Sequence, residues 1–79
     1  MSEEILRIFE KGINRALKPW TPEEREYVLR LVIRVLNYLR EKKITPEDAY
    51  LHLVGIAYEY LVPLTPKDFS DIERILGLK

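Results

Sequence analysis

Apolar residues recur with helical spacing along most of the chain, and no stretch shows the alternation of a half-buried strand. The pattern falls into four stretches, 3–18, 22–42, 46–62 and 67–76, each of which predicts a helix. Because the linkers are only a few residues long, consecutive helices are expected to pack as neighbours. The sequence therefore predicts one all-α domain over 1–79, with helices 2 and 3 as a central hairpin and helices 1 and 4 packed against it.

Three nearly identical stretches, WTPEE, ITPED and LTPKD, begin at positions 20, 44 and 64. In each, the threonine is placed as an N-cap whose hydroxyl accepts a bond from a free amide of the first turn. Proline then occupies the first helical position, where its missing N–H costs nothing. An acidic residue at the third position can bond back to the N-cap amide, glutamate more easily than aspartate. The segments between the copies differ, so the stretches are helix-start signals and not a repeat array.

The two middle helices are apolar over roughly two-thirds of their circumference, which exceeds the stripe of a surface helix. Helices 1 and 4 are apolar on one side only. The short fourth helix is not expected to cover all of the apolar surface of helices 2 and 3. Large apolar patches are uncommon on monomers, so we predict a homodimer that buries these open sides. A monomer with the hairpin wrapped by its outer helices is the alternative. The predicted association residues are Val28, Leu31, Val35, Tyr38, Tyr50, Val54, Tyr58 and Leu61.

One polar stripe on helix 3 holds the only histidine, His52, together with Asp48 and Glu59 and with Gly55 between them. Such a stripe could serve proton transfer, metal binding or a small-molecule pocket. An ordinary solvated stripe explains it more simply, so we assign no catalytic, metal or cofactor-binding residue and expect no enzyme. Glycine within a helix often marks close helix approach, and both Gly55 and Gly12 are interpreted in this way.

Thirteen basic residues balance thirteen acidic ones, so the chain has no overall field to attract nucleic acid or an acidic membrane. Cations are nevertheless grouped on helix 1 and along helix 2. A dimeric nucleic-acid-binding protein is therefore an alternative function, although ion pairs along the helices explain the same charges. Its phosphate contacts would be Arg30, Arg34, Arg40, Lys42 and Lys43, with the helix 1 stripe Arg7, Lys11, Arg15 and Lys18.

Composition limits the remaining classes. The chain has no cysteine, which excludes disulfides and thiolate metal sites, and it has no glutamine and only two asparagines. Charged residues with few amides are typical of thermostable proteins and equally of designed helical bundles. We recognise no secretory leader and no apolar stretch that could span a bilayer, and we expect a cytoplasmic protein. The preferred hypothesis is a small self-associating interaction or scaffold module.

Overall fold

The computed structural model describes residues 2–79 and contains four helices in that range. They are α1 (Ser2–Arg15), α2 (Pro22–Arg40), α3 (Pro46–Glu59) and α4 (Pro66–Ile75). The most extensive contact is between α2 and α3, α1 packs against α2 and α4, and α4 packs against α3. The helices therefore form a ring in chain order, and the predicted all-α fold with a central α2–α3 hairpin is confirmed.

Reciprocal hydrogen bonds begin three of the helices, as the sequence predicts. The hydroxyls of Thr21, Thr45 and Thr65 each accept a bond from the amide three residues later, and each N-cap amide donates to the acidic side chain there. That second bond is 2.9 Å long to Glu24, 3.5 Å to Asp48 and 3.0 Å to Asp68. The weaker reach expected of aspartate is therefore confirmed for Asp48 and is wrong for Asp68. Each box satisfies amide groups that the first turn of a helix leaves without partners.

The last three helices each end in a backbone turn of the same type. Helix α2 therefore ends two residues before its predicted end, and α3 ends three residues before its predicted end. In α3, the amide of Val62 bonds the carbonyl of Ala57 at 2.9 Å across a left-handed residue. These bonds satisfy the last carbonyls of the helix. The left-handed residues are Lys42, Leu61 and Gly77, with φ of 60°, 56° and 81°. Glycine occupies only the last of these positions, which is why sequence alone did not locate the earlier two turns.

Helix α1 ends at Arg15, whereas the sequence predicted a helix to residue 18. The amide of Ala16 bonds the carbonyl of Ile13, three residues back, so the helix tightens as it ends. Pro19 disfavours helical backbone at Lys18, which accounts for the early end. As a result Leu17 leaves the apolar face of α1 and is fully exposed.

The core is built from every helix and contains no buried polar side chain among the described residues. The radius of gyration is 11.9 Å, close to the value of about 11.6 Å expected for a compact chain of this length. The outer helices thus cover much of the hairpin, as in the monomeric alternative. The buried residues are Ile5, Phe9, Ile13, Val28, Val32, Val35, Leu36, Ala49, Leu53, Ala57, Val62, Ile72 and Leu76.

Gly12 lets α1 lie against the loop between α3 and α4. A methyl group at Gly12 would lie 2.8 Å from Val62 Cγ1 and 2.7 Å from Leu64 Cδ2, both inside normal contact distance. The predicted packing role is therefore confirmed for Gly12. It is wrong for Gly55, because a methyl group there would meet no atom within 4 Å.

Arg15 and Asp68 join the end of α1 to the start of α4. The guanidinium lies 3.0 Å from the Asp68 carboxylate and also donates to the carbonyl of Pro63, while the amide of Thr65 donates to the same carboxylate at 3.0 Å. Burial alone would raise the pKa of Asp68. The Thr65 amide and Arg15 outweigh this effect and hold the pKa below its usual range.

We expect Gly12→Ala to lower the free energy of unfolding by about 1 kcal/mol, since overpacking costs about 1–3 kcal/mol and the better helix propensity returns about 1 kcal/mol. Gly55→Ala is the matched control and should raise stability by up to about 1 kcal/mol. Urea denaturation measures both changes. Equal shifts of one sign would contradict the different surroundings of the two glycines.

We expect Asp68→Asn to reduce stability by about 1 kcal/mol at pH 7. Because folding lowers the pKa of Asp68, its contribution is present above the unfolded value of about 3.9 and is lost as the pH falls through the folded value. The difference from wild type should therefore vanish in acid, as thermal unfolding from pH 7 to 2 would measure. Asp71→Asn removes only the exposed pairs with Lys67 and Arg74 and should cost less; an equal loss at pH 7 would contradict the role of Asp68.

Candidate interaction surfaces

The predicted association residues of α2 are largely unavailable to a partner. Val28 and Val35 lie in the core, so the prediction is wrong for both. The reason is that α2 packs against α1 on one flank and against α3 on the other, which covers its apolar arc. Leu31 is half-buried, and Tyr38 is exposed with the Lys43 ammonium 5.7 Å from the centre of its ring.

The predicted residues of α3 remain accessible to different degrees. Tyr50 and Val54 are half-buried, while Tyr58 and Leu61 are 70% and 76% exposed. Leu51 was missing from the predicted set although it is 66% exposed and belongs to the same apolar arc. The accessible residues separate into two surfaces, one at the end of α3 and one along its outer side.

The first surface is a groove, the Leu61 groove, at the junction of the α1–α2 loop with the end of α3. It has a volume of about 290 Å³ and is lined mainly by Ala16, Leu17, Trp20, Tyr60, Leu61 and Pro63. A second hollow of about 260 Å³ shares several of these residues and extends to Tyr27. The groove walls are thus apolar and rich in aromatic rings, which is typical of the central part of protein interfaces. Leu17 and Trp20 were not predicted here, because the early end of α1 was not evident from periodicity.

Leu61 combines an exposed apolar side chain with a left-handed backbone conformation. A left-handed conformation costs a residue with a β-carbon roughly 1–2 kcal/mol, which is why glycine usually takes this position at helix ends. Strained residues that persist in a fold tend to lie at functional sites. Sequence reasoning identified Leu61 as apolar and exposed but could not identify its conformation.

Charged groups of both signs border the Leu61 groove and its extension. Lys18 borders both hollows, and Glu24 and Glu59 border the extension. The Thr21 amide holds the pKa of Glu24 below its usual range, against the effect of burial and with help from the Thr21 hydroxyl and Lys18. The Glu24 carboxylate is therefore ionised at neutral pH, with the charge of Lys18 nearby.

Two tyrosines form the wall between α2 and α3. The rings of Tyr27 and Tyr60 meet edge to face, with 5.8 Å between centroids. Hydrogen bonding to the Tyr27 hydroxyl, followed by burial and the Glu59 side chain, raises the pKa of Tyr60 well above its usual range. The Tyr60 phenol therefore stays neutral near pH 7 and can face an apolar partner without burying a charge.

The second surface is the α3 stripe, defined as Tyr50, Leu51, Val54, Gly55 and Tyr58. Spacings of three and four residues place these side chains on one side of the helix. The ring of Tyr58 stacks on Phe69 of α4, with centroids 6.2 Å apart and planes 19° from parallel. Burial, and then the charge of Glu73, raise the pKa of Tyr50. Gly55 leaves an open notch in the middle of the stripe.

The predicted pocket residues Asp48, His52 and Glu59 are all exposed. Asp48 already caps the first turn of α3, and Glu59 borders the extension of the Leu61 groove. Within residues 2–79, no group of three potential ligands lies close enough to hold a metal ion. The structure therefore brings no two of these three side chains into a common enclosed site.

Most of the predicted phosphate contacts have partners within the chain. Arg30 pairs with Glu26, Lys43 pairs with Glu41 at 3.3 Å, and Arg40 donates to Asn37 at 2.6 Å. On α1, Arg7 and Arg15 pair with Glu3 and Asp68. Arg34 and Lys42 are exposed. Nucleic-acid binding stays a prediction that these pairings do not favour.

Comparison with known proteins gives no indication of function, so the two surfaces described above are the basis for a functional proposal. No protein-family model, no curated protein and no solved structure matches the chain. In the part of the chain that the structure describes, no helix has both the length and the apolar character needed to cross a membrane.

We expect Leu61→Gly to raise the free energy of unfolding of the monomer by several tenths to about 1 kcal/mol, because it relieves the left-handed strain and removes little buried area. Lys42→Gly, at the equivalent position of α2, is the matched control and should have a similar effect. Thermal unfolding of dilute samples measures both changes. A destabilised Leu61→Gly would show that the leucine supports the fold itself.

Proposed function

We propose that this chain is a small helical interaction module that forms a homodimer through the Leu61 groove. The observation that carries the proposal is Leu61 itself, which keeps a large apolar side chain in water at a left-handed position of the kind that glycine usually occupies. A partner that covers Leu61 would offset both the exposure and the strain. Complete burial of a leucine side chain at an interface would contribute about 1.5–3 kcal/mol to the free energy of association.

Two features of the groove support two-fold pairing. In a two-fold dimer the same patch must contact itself, so it needs a projection and a recess side by side. Leu17 and Leu61 project from the surface, and the recess between Trp20, Tyr60 and Pro63 lies beside them. Leucines of one copy can therefore enter the recess of the other and receive the partner's leucines in return.

Charge at the groove also suits a second copy. Lys18 and Glu59 both border the extended groove. A two-fold axis through the groove can place Lys18 of each copy opposite Glu59 of its partner. Such pairs mainly select the partner and its orientation.

The expected interface is of modest size. Standard protein interfaces bury about 800 Å² per partner, which is roughly a seventh of the 5381 Å² surface of this chain. The apolar residues of the groove form the centre of such a patch, and the charged residues form its rim. We therefore expect a dimer that depends on concentration, and we assign the module no catalytic step and no cofactor. The chain lacks cysteines, which suits the reducing cytoplasm.

We expect wild type to shift from monomer to dimer as its concentration rises, with a melting temperature that rises in parallel. Leu61→Gly should melt higher than wild type when dilute, yet stay monomeric in concentrated solution. Light scattering after size-exclusion chromatography measures the mass, and scanning calorimetry measures the melting temperature.

Lys42→Gly is the control for this experiment, because it relieves the same strain away from the groove and should still dimerise. A wild type that stays monomeric at millimolar concentration would overturn the proposal. So would a Leu61→Gly variant that dimerises as strongly as wild type.

A further inference from the structure

Gly55 lowers the stability of helix α3, and no contact within the described chain requires a glycine there. Glycine in a helix interior is less favourable than alanine by about 1 kcal/mol. At Gly12 the close approach of Val62 and Leu64 requires it, whereas at Gly55 an added methyl group would meet no atom within 4 Å. The notch is therefore open to solvent, on the outer side of α3.

Large apolar side chains flank this notch. Leu51 lies one turn before Gly55 and Tyr58 about one turn after it, and both are mostly exposed. The stack on Phe69 restricts the orientations of the Tyr58 ring, which lowers the rotamer entropy that a partner would cost there. Two projecting side chains with a bare backbone between them allow a second helix to cross α3 closely at Gly55. Helices bind helices in this way through apolar residues at one-turn spacing.

The charges that α3 and its flanking residues place around the α3 stripe are all negative. Residues 44–64 contain Glu47, Asp48 and Glu59 but no lysine or arginine. Glu47 and Glu59 make no ion pair among the described residues, and on the α4 side Glu73 is paired with Lys79 at 3.7 Å. A partner helix with basic residues beside its apolar stripe would complement this border.

A second copy of the chain would not complement it. Antiparallel crossing of two α3 helices at Gly55 would bring Glu47 and Asp48 of one copy near Glu59 of the other. Parallel crossing would bring like acids together directly. Either arrangement places anions against anions, in contrast to the mixed charges of the Leu61 groove.

We propose that the α3 stripe is a docking site for an amphipathic helix of another protein, one that crosses α3 at Gly55 and carries lysine or arginine on its flanks. This site is separate from the Leu61 groove. The module would thus hold a second copy by one surface and a basic helix by the other.

The test uses two fluorescent synthetic peptides of about 18 residues, or five helical turns. Both have leucines at spacings of three and four around a central alanine; one has lysines on the flanks and the other glutamates. Fluorescence anisotropy with the wild-type chain should show binding of the lysine peptide, with the glutamate peptide at least about tenfold weaker.

Gly55→Gln fills the notch with a good helix former and should weaken binding of the lysine peptide at least about tenfold, while thermal stability is kept or raised. Leu51→Ala should weaken binding as well. Lys11→Gln, on the exposed surface of α1, is the control and should bind as wild type does. Leu61→Gly should also bind normally, which separates this proposal from the homodimer.

Four results would overturn the proposal. The first is failure of the wild-type chain to bind the lysine peptide. The second is equal binding of the lysine and glutamate peptides. Unchanged peptide binding by Gly55→Gln would show that the helix does not cross at the notch. If light scattering showed that Gly55→Gln dissolves a wild-type dimer, the occupant would be a second copy, which also overturns it.

Discussion

The close contact of α1 with the loop between α3 and α4 is the constraint that closes the ring of helices. Gly12 brings the backbone of α1 against Val62 and Leu64, and Arg15 holds the same loop through Pro63 and Asp68. Because the loop is fixed there, the end of α3 lies beside the α1–α2 loop. The Leu61 groove exists only as a consequence of this contact, since Leu17 and Trp20 come from one loop and Tyr60 and Leu61 from the other.

Local signals made the fold predictable. The threonine–proline starts act within one turn of helix, so the sequence contains everything needed to locate them, and all three formed as expected. The helix ends were less predictable, because leucine and lysine at the left-handed positions give no sign of the turn. The hydrophobic periodicity indicated how wide the apolar arcs of α2 and α3 are, but it does not indicate which other helices cover them. This is why Val28 and Val35 were assigned to an interface although they belong to the core.

The two glycines within helices show a similar limit for the candidate sites. Gly12 and Gly55 occupy comparable positions in the sequence, and the same interpretation was given to both. Only the three-dimensional surroundings distinguish a glycine that the fold needs from one that the fold does not use. Tyr50, Val54, Tyr58 and Leu61 were predicted as association residues, yet their division between two surfaces of different charge required the structure.

The absence of buried polar side chains in the described core has a thermal consequence. Such a core is stabilised by the removal of apolar side chains from water and by dispersion, with no side-chain hydrogen bond at its centre. The hydration part weakens on cooling, so the interior should loosen in the cold as well as in the heat. Inside the core, packing shape then sets how the helices fit together. Core substitutions that keep the apolar volume should therefore be accepted more readily than substitutions that introduce a hydrogen-bonding group.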